Sequence, residues 1–155
     1  MKKQEKGFSL IELLIVVAII LIIAAIASPN LLRSKMAANE ASAVGSLRTL
    51  NTAAVTYSST YPAAGYPGSL AALGTSGAAT SASADLVDSV LAGGTKSGYA
   101  FTWTAGAGTP STGYSIVADP VSRGTSGQRG FYTDQSGVIR NDPTGTAGSA
   151  SAPLQ

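Results

Sequence analysis

The chain has 155 residues, no cysteine, no histidine and a formal charge of +2. That length suits one modest domain. The missing cysteines exclude a disulfide-stapled scaffold, and the missing histidines remove the commonest metal ligand and general base. The positive balance is local: Lys2, Lys3 and Lys6 outweigh Glu5 within the first seven residues, and the remainder carries seven Lys/Arg against seven Asp/Glu. A chain that is neutral beyond its first residues has no basic character to argue for nucleic-acid binding, and no specific nucleic-acid site is seen in it.

Residues 1–7 read as a short polar leader ending in Gly7. From Phe8 to Ala27 the only residues that are not apolar are Ser9 and Glu12. A run of this size spans about 30 Å of hydrocarbon as a helix. Leader lysines stay cytoplasmic under the positive-inside rule, which places the C-terminal bulk outside in a single pass. Glu12 is costly at that depth; an acid at a helix centre carries a penalty of roughly 2.5–3.5 kcal/mol, less near an end. A cut after Gly7 would supply a reason for it. The new amine of Phe8, four residues ahead of Glu12, would neutralise the carboxylate within one subunit or between neighbours. An ordinary secretory signal is cut after its apolar stretch, so this anchor would be retained.

The transmembrane segment is assigned to 8–28, and helical character continues over 29–58. Pro29 marks a kink, since proline lacks an N–H and disturbs the turn before it. Leu32, Met36, Ala43, Leu47, Leu50, Ala54 and Tyr57 form an amphipathic stripe at spacings of three, four and seven. One helix from Phe8 to about Ser58 would be some 75 Å long. Residues 59–98 read as a loop-rich connection with short helical pieces at Ser69–Leu73 and Ala84–Leu91, where Asp85 and Asp88 suit a helix N-terminus. Over 99–141, strands are expected at Tyr99–Thr104, Tyr114–Ala118, Phe131–Thr133 and Val138–Arg140, the last two joined by the turn Asp134–Gly137. The segment 142–155 reads as a flexible tail.

The fold class is therefore α+β: a long N-terminal helix packed on an antiparallel sheet of about four strands. Asp134, Ser136, Gly137 and Asp142 make turns more readily than a calcium loop, which takes six to eight oxygens; no metal or other cofactor is expected. Arg123 and Arg129 are most simply a solvated loop. Tyr99, Phe101, Trp103, Tyr114, Phe131 and Tyr132 alternate as strand residues do, which makes half of them core. No nucleophile elbow or phosphate-cradling loop is present, so an enzyme is not expected.

The string Gly7-Phe8-Ser9-Leu10-Ile11-Glu12-Leu13-Leu14-Ile15-Val16-Val17 resembles the class III signal and N-terminal helix of type IV pilins and of the related type II secretion pseudopilins. The resemblance covers about residues 1–58. It implies cleavage by prepilin peptidase between Gly7 and Phe8, N-methylation of Phe8, and an assembly contact between Glu12 and the Phe8 amine of a neighbour. Pro29 falls where the family has its helix-weakening proline. The family's frequent glycine between that acid and that proline is replaced by Leu21, a better helix former by up to about 1 kcal/mol. More loosely, 97–101, 114–116, 131–134 and 137–140 resemble the sheet of short pilin-like proteins.

The resemblance implies a subunit that polymerises into a type IV pilus-like fibre, with motility, adhesion, DNA uptake and secretion all open as its task. Its partners would be further copies of itself, prepilin peptidase, the membrane before assembly, and an inner-membrane assembly platform with its motor ATPases. It implies location in the inner membrane as precursor and in an extracellular pilus afterwards. A pseudopilin of type II secretion is the nearest alternative, and a monomeric membrane-anchored binding domain a more distant one.

Overall fold

The structure is a computed structural model and describes residues 7–154. The first six residues of the expected leader lie outside the described residues. The chain divides into two units, Met1–Lys35 and Met36–Gln155. One helix, α1 (Leu10–Thr60), contributes to both.

In the first unit α1 buries nothing: its most apolar window is wholly exposed. It is long and apolar enough to cross a membrane. Its Ile and Val residues are indifferent helix formers in water, but a helix satisfies every backbone group internally, which lipid demands. α1 is continuous through Pro29, which leaves the Ala25 carbonyl without its usual N–H donor.

In the second unit α1 buries Glu40, Ala43, Ser46, Leu47, Leu50, Ala53, Ala54 and Tyr57. This is the expected stripe from Ala43 onward; Met36 is half-buried and Leu32 exposed. The stripe forms the core with one face of a six-stranded antiparallel sheet, ordered β1 to β6 along the chain. The strands are β1 (Thr95–Lys96), β2 (Tyr99–Ala105), β3 (Tyr114–Pro120), β4 (Gly130–Asp134), β5 (Arg140–Asp142) and β6 (Ala152–Pro153). Tyr99, Phe101, Tyr114, Ile116, Ala118, Phe131 and Thr133 alternate inward and are buried.

The strand count rises from four to six because β1 and β6 have two residues each and show no apolar alternation. β1 is set by its turn: Ser97 and Gly98 both have positive φ, 50° and 73°, as a tight hairpin requires. β5 begins two residues later than expected, with Arg140 opposite Tyr132. Of the two helical pieces, Leu70–Leu73 is a 3-10 turn and α2 is only Ser89–Ala92. Asp88 caps α2, accepting from the Leu91 N–H at 2.9 Å, whereas Asp85 lies outside the helix with φ 54°.

Within 142–155, expected as a flexible tail, the structure places β6, which pairs with β5 through Arg140↔Pro153 and Asn141↔Ala152. Asp142 Oδ1 accepts from the Thr144 and Gly145 N–H groups, starting a turn that brings Ala147 into the interior at 2% exposure. Gly130 makes room for it: a Cβ there would stand 2.5 Å from the Gly145 carbonyl oxygen. We expect Gly130→Ala to lower stability by about 1–3 kcal/mol. Unfolding of the detergent-solubilised chain, followed by the fluorescence of its one tryptophan, Trp103, measures this.

Candidate functional site

The candidate site is the beginning of α1. Phe8 is 85% exposed, and Leu10, Ile11, Leu13 and Leu14 are each at least 60% exposed. Ser9 and Glu12 form a capping box. The Ser9 N–H donates to Glu12 Oε2 at 2.8 Å, and the Ile11 N–H donates to Ser9 Oγ at 3.3 Å. Two backbone donors that α1 cannot satisfy are thereby paired.

The sequence reading paired Glu12 with the Phe8 amine and missed this arrangement, although Ser9-x-x-Glu12 is a readable cap signature. In the structure Glu12 holds the N–H of Ser9, one residue beyond Phe8, and its carboxylate is directed toward the helix start. Among the described residues, a Cβ at position 7 would meet no atom within 4 Å.

The remaining candidates are structural. Asp134 Oδ1 accepts from the Ser136 N–H at 2.9 Å, and Gly137 has φ 74°. Burial raises the Asp134 carboxyl, but the Ser136 hydroxyl and N–H outweigh it and leave the pKa below the ordinary value. Among the described residues no three His, Cys, Asp or Glu side chains gather as a metal would need. Trp103 stacks on Tyr114 with centroids 4.7 Å apart and donates Nε1–H to the Pro67 carbonyl. Burial pushes the hydroxyls of Tyr99 and Tyr114 up to about 12. Of the six aromatics considered as a platform, only Tyr132 lies on the outer sheet face.

Arg123 and Arg129 are not simply solvated. Arg123 bonds Asp119 and the Gln128 carbonyl, and Arg129 Nε bonds Glu40 Oε2 at 2.8 Å. Glu40 is 8% exposed and also accepts from the Gln128 and Arg129 N–H groups at 2.9 and 3.1 Å. Beside it, Asn39 Nδ2 donates to the Ser126 carbonyl at 2.7 Å. These bonds fasten the segment between β3 and β4 to α1. Pairings across nearly ninety residues leave no signal in a single sequence.

Residues 2–28 match the family model described as the prokaryotic N-terminal methylation motif. Over 38 residues the chain is 58% identical to the type IV wide pilus major component PilA4 of Thermus thermophilus. That stretch is 24% of this chain and 29% of the relative, so the likeness spans less than a third of the curated protein. No solved structure matches the chain.

Proposed function

We propose that the chain is a type IV pilin-like structural subunit, cleaved after Gly7, N-methylated at Phe8 and polymerised into a type IV pilus-like filament; its N-terminal methylation motif, its likeness to a pilus component and its α+β fold support this. The observation that carries this reading is the fully exposed apolar stretch of α1 in the first unit, whose one acid, Glu12, sits three residues past a Ser9 cap and four past Phe8. Such a helix needs lipid or other helices around it. Lipid covers it in the precursor, and the helices of other copies cover it in the filament, so apolar burial is kept on transfer.

Glu12 supplies register. A carboxylate in an apolar bundle is tolerated only where a cation meets it, and the Phe8 amine, created by the cut, is the cation nearest in sequence. In this reading the leader's lysines remain cytoplasmic, and the second unit lies outside. Pro29 permits the helix to bend as copies pack. The likeness to a protein described as a major component of a pilus favours the pilus over the pseudopilin.

Intact-mass measurement of the chain recovered from its host tests the reading. The expected mass is that of residues 8–155 plus one methyl group. A chain starting at Met1 would overturn it. Replacing Gly7 with alanine is expected to block processing without disturbing the described fold, since a Cβ there meets no described atom within 4 Å; normal processing of the variant would remove Gly7 from the cleavage site.

A further inference from the structure

Among its described residues the second unit leaves two opposite charges unpaired. Lys96 meets Asp88 at 3.0 Å, Arg123 meets Asp119 at 3.4 Å, and Arg129 meets Glu40 at 2.8 Å. Arg140 donates to the Ser151 carbonyl, while Asp134 and Asp142 accept backbone N–H groups in their turns. Among the described charged residues of this unit, only the side chains of Arg48 and Asp85 make neither an ion pair nor a hydrogen bond, and both are exposed.

Arg48 stands on a helix face poorly suited to water. Between Lys35 and Asp85 the sequence holds only two charged residues, the buried Glu40 and Arg48 itself. The exposed positions near Arg48 are Gly45, Thr49, Thr52, Val55 and Thr56. Water-facing helix positions favour Ala, Glu, Lys or Gln; β-branched residues are poorer there by up to about 0.7 kcal/mol each. The hydroxyls of Thr49, Thr52 and Thr56 donate to the carbonyls of Gly45, Arg48 and Thr52 within the helix. This face can therefore be covered without orphaning a hydroxyl donor. Its one dehydration problem is the Arg48 guanidinium, which then requires a carboxylate.

Asp85 is presented rigidly. The N–H groups of Ala84, Asp85 and Leu86 donate to the carbonyls of Ala72, Gly74 and Leu73, each at 2.9 Å. Its left-handed φ of 54° is one that aspartate tolerates better than most residues. The neighbouring Leu86 lines a groove of about 360 Å³ together with Arg48. Within one copy, however, Arg48 and Asp85 form no ion pair.

We propose that Arg48 of one copy pairs with Asp85 of a neighbouring copy, making the outer face of α1 around Arg48 a docking surface for the 84–87 segment of that copy. The occupant is chosen by charge. Of the described side-chain carboxylates that a second copy's folded unit offers, Asp85 is the one without an internal partner. The inference rests on the filament reading and gives it a specific contact outside the apolar helix.

Reciprocal charge reversal in the native host tests it. Arg48→Glu alone would set two acids against each other, and Asp85→Arg alone two cations; each is expected to lower sheared-filament yield at least about tenfold. Expressed together, the two variants restore opposite charges at both contacts when they alternate. The acid introduced at position 48 of one variant then faces the cation introduced at position 85 of the other, and the retained Arg48 faces the retained Asp85. Yield from this mixture is expected to return near the wild-type value. The double reversal on one chain should also recover. Wild-type yield from either single variant, or a mixture no better than its components, would overturn the pairing. Rescue by the double reversal without rescue in the mixture would make the pair internal to one copy and would also overturn it. A wild-type chain that forms no filament would instead sink the filament reading on which the pairing depends.

Discussion

Glu12→Ala is expected to leave cleavage and methylation intact and to reduce filament yield by about a hundredfold or more. The magnitude follows from removing one partner of a dehydrated ion pair. The orphaned amine of Phe8 costs about 3 kcal/mol, or about a hundredfold in an association constant. Two readouts separate this from a mere weakening of the helix start. Glu12 also closes the capping box with Ser9, and loss of a cap costs about 1 kcal/mol. Ser9→Ala, which removes the hydroxyl that accepts from Ile11, reports that smaller effect alone. If Ser9→Ala and Glu12→Ala lower yield equally, capping is the whole role of Glu12 and the intersubunit pair is wrong. Intact-mass analysis of both variants confirms that processing is unaffected.

How much could be read from the residues depended on whether each signal was local. Glu12 announces itself because an acid among nineteen other residues from Phe8 to Ala27 that are nearly all apolar is an energetic anomaly on sight. The inward aromatic set was legible for a related reason: Tyr99, Phe101 and Trp103 alternate along a strand, and alternation maps directly onto a buried face. The helical stripe from Ala43 to Tyr57 was legible by the same logic at a different period.

What was missed is non-local or backbone-driven. β1 and β6 exist through main-chain pairing of two residues each, so no side-chain pattern marks them. The segment after Asp142, rich in Gly, Ser and Thr, has the composition of a mobile end. It is ordered by Asp142 accepting two N–H groups and by the space that Gly130 leaves open. Asp85 suits a helix start by sequence, but the tight bonding of Ala84–Leu86 to the 72–74 backbone holds it outside α2. Arg129 looked solvated because its partner, Glu40, is far away in sequence.

That last pairing predicts the largest effect on folding. Glu40→Ala is expected to destabilise the second unit by about 3 kcal/mol, because the N–H groups of Gln128 and Arg129 and the Arg129 guanidinium all lose their acceptor. Arg129→Ala should cost less. It leaves the carboxylate two backbone donors and a largely polar loop to face, although it also removes a guanidinium 5.4 Å from the centre of the Phe131 ring. Glu40→Gln should fall between them, since the amide keeps one acceptor but turns a donor toward Arg129. The pH dependence has a definite sign. Burial on its own raises the Glu40 carboxyl, but its hydrogen bonds to Gln128 and Arg129 outweigh that and hold the pKa below its ordinary value of 4.5. The clasp is therefore complete above the unfolded-state pKa and is lost as pH falls through the lower folded-state value. The wild type should lose stability in that acid window, and Glu40→Ala should show a shallower loss there. Urea unfolding of the detergent-solubilised chain, followed by Trp103 fluorescence between pH 7 and about pH 3, measures both slopes. Parallel slopes in the two proteins would mean that Glu40 does not couple the loop to α1.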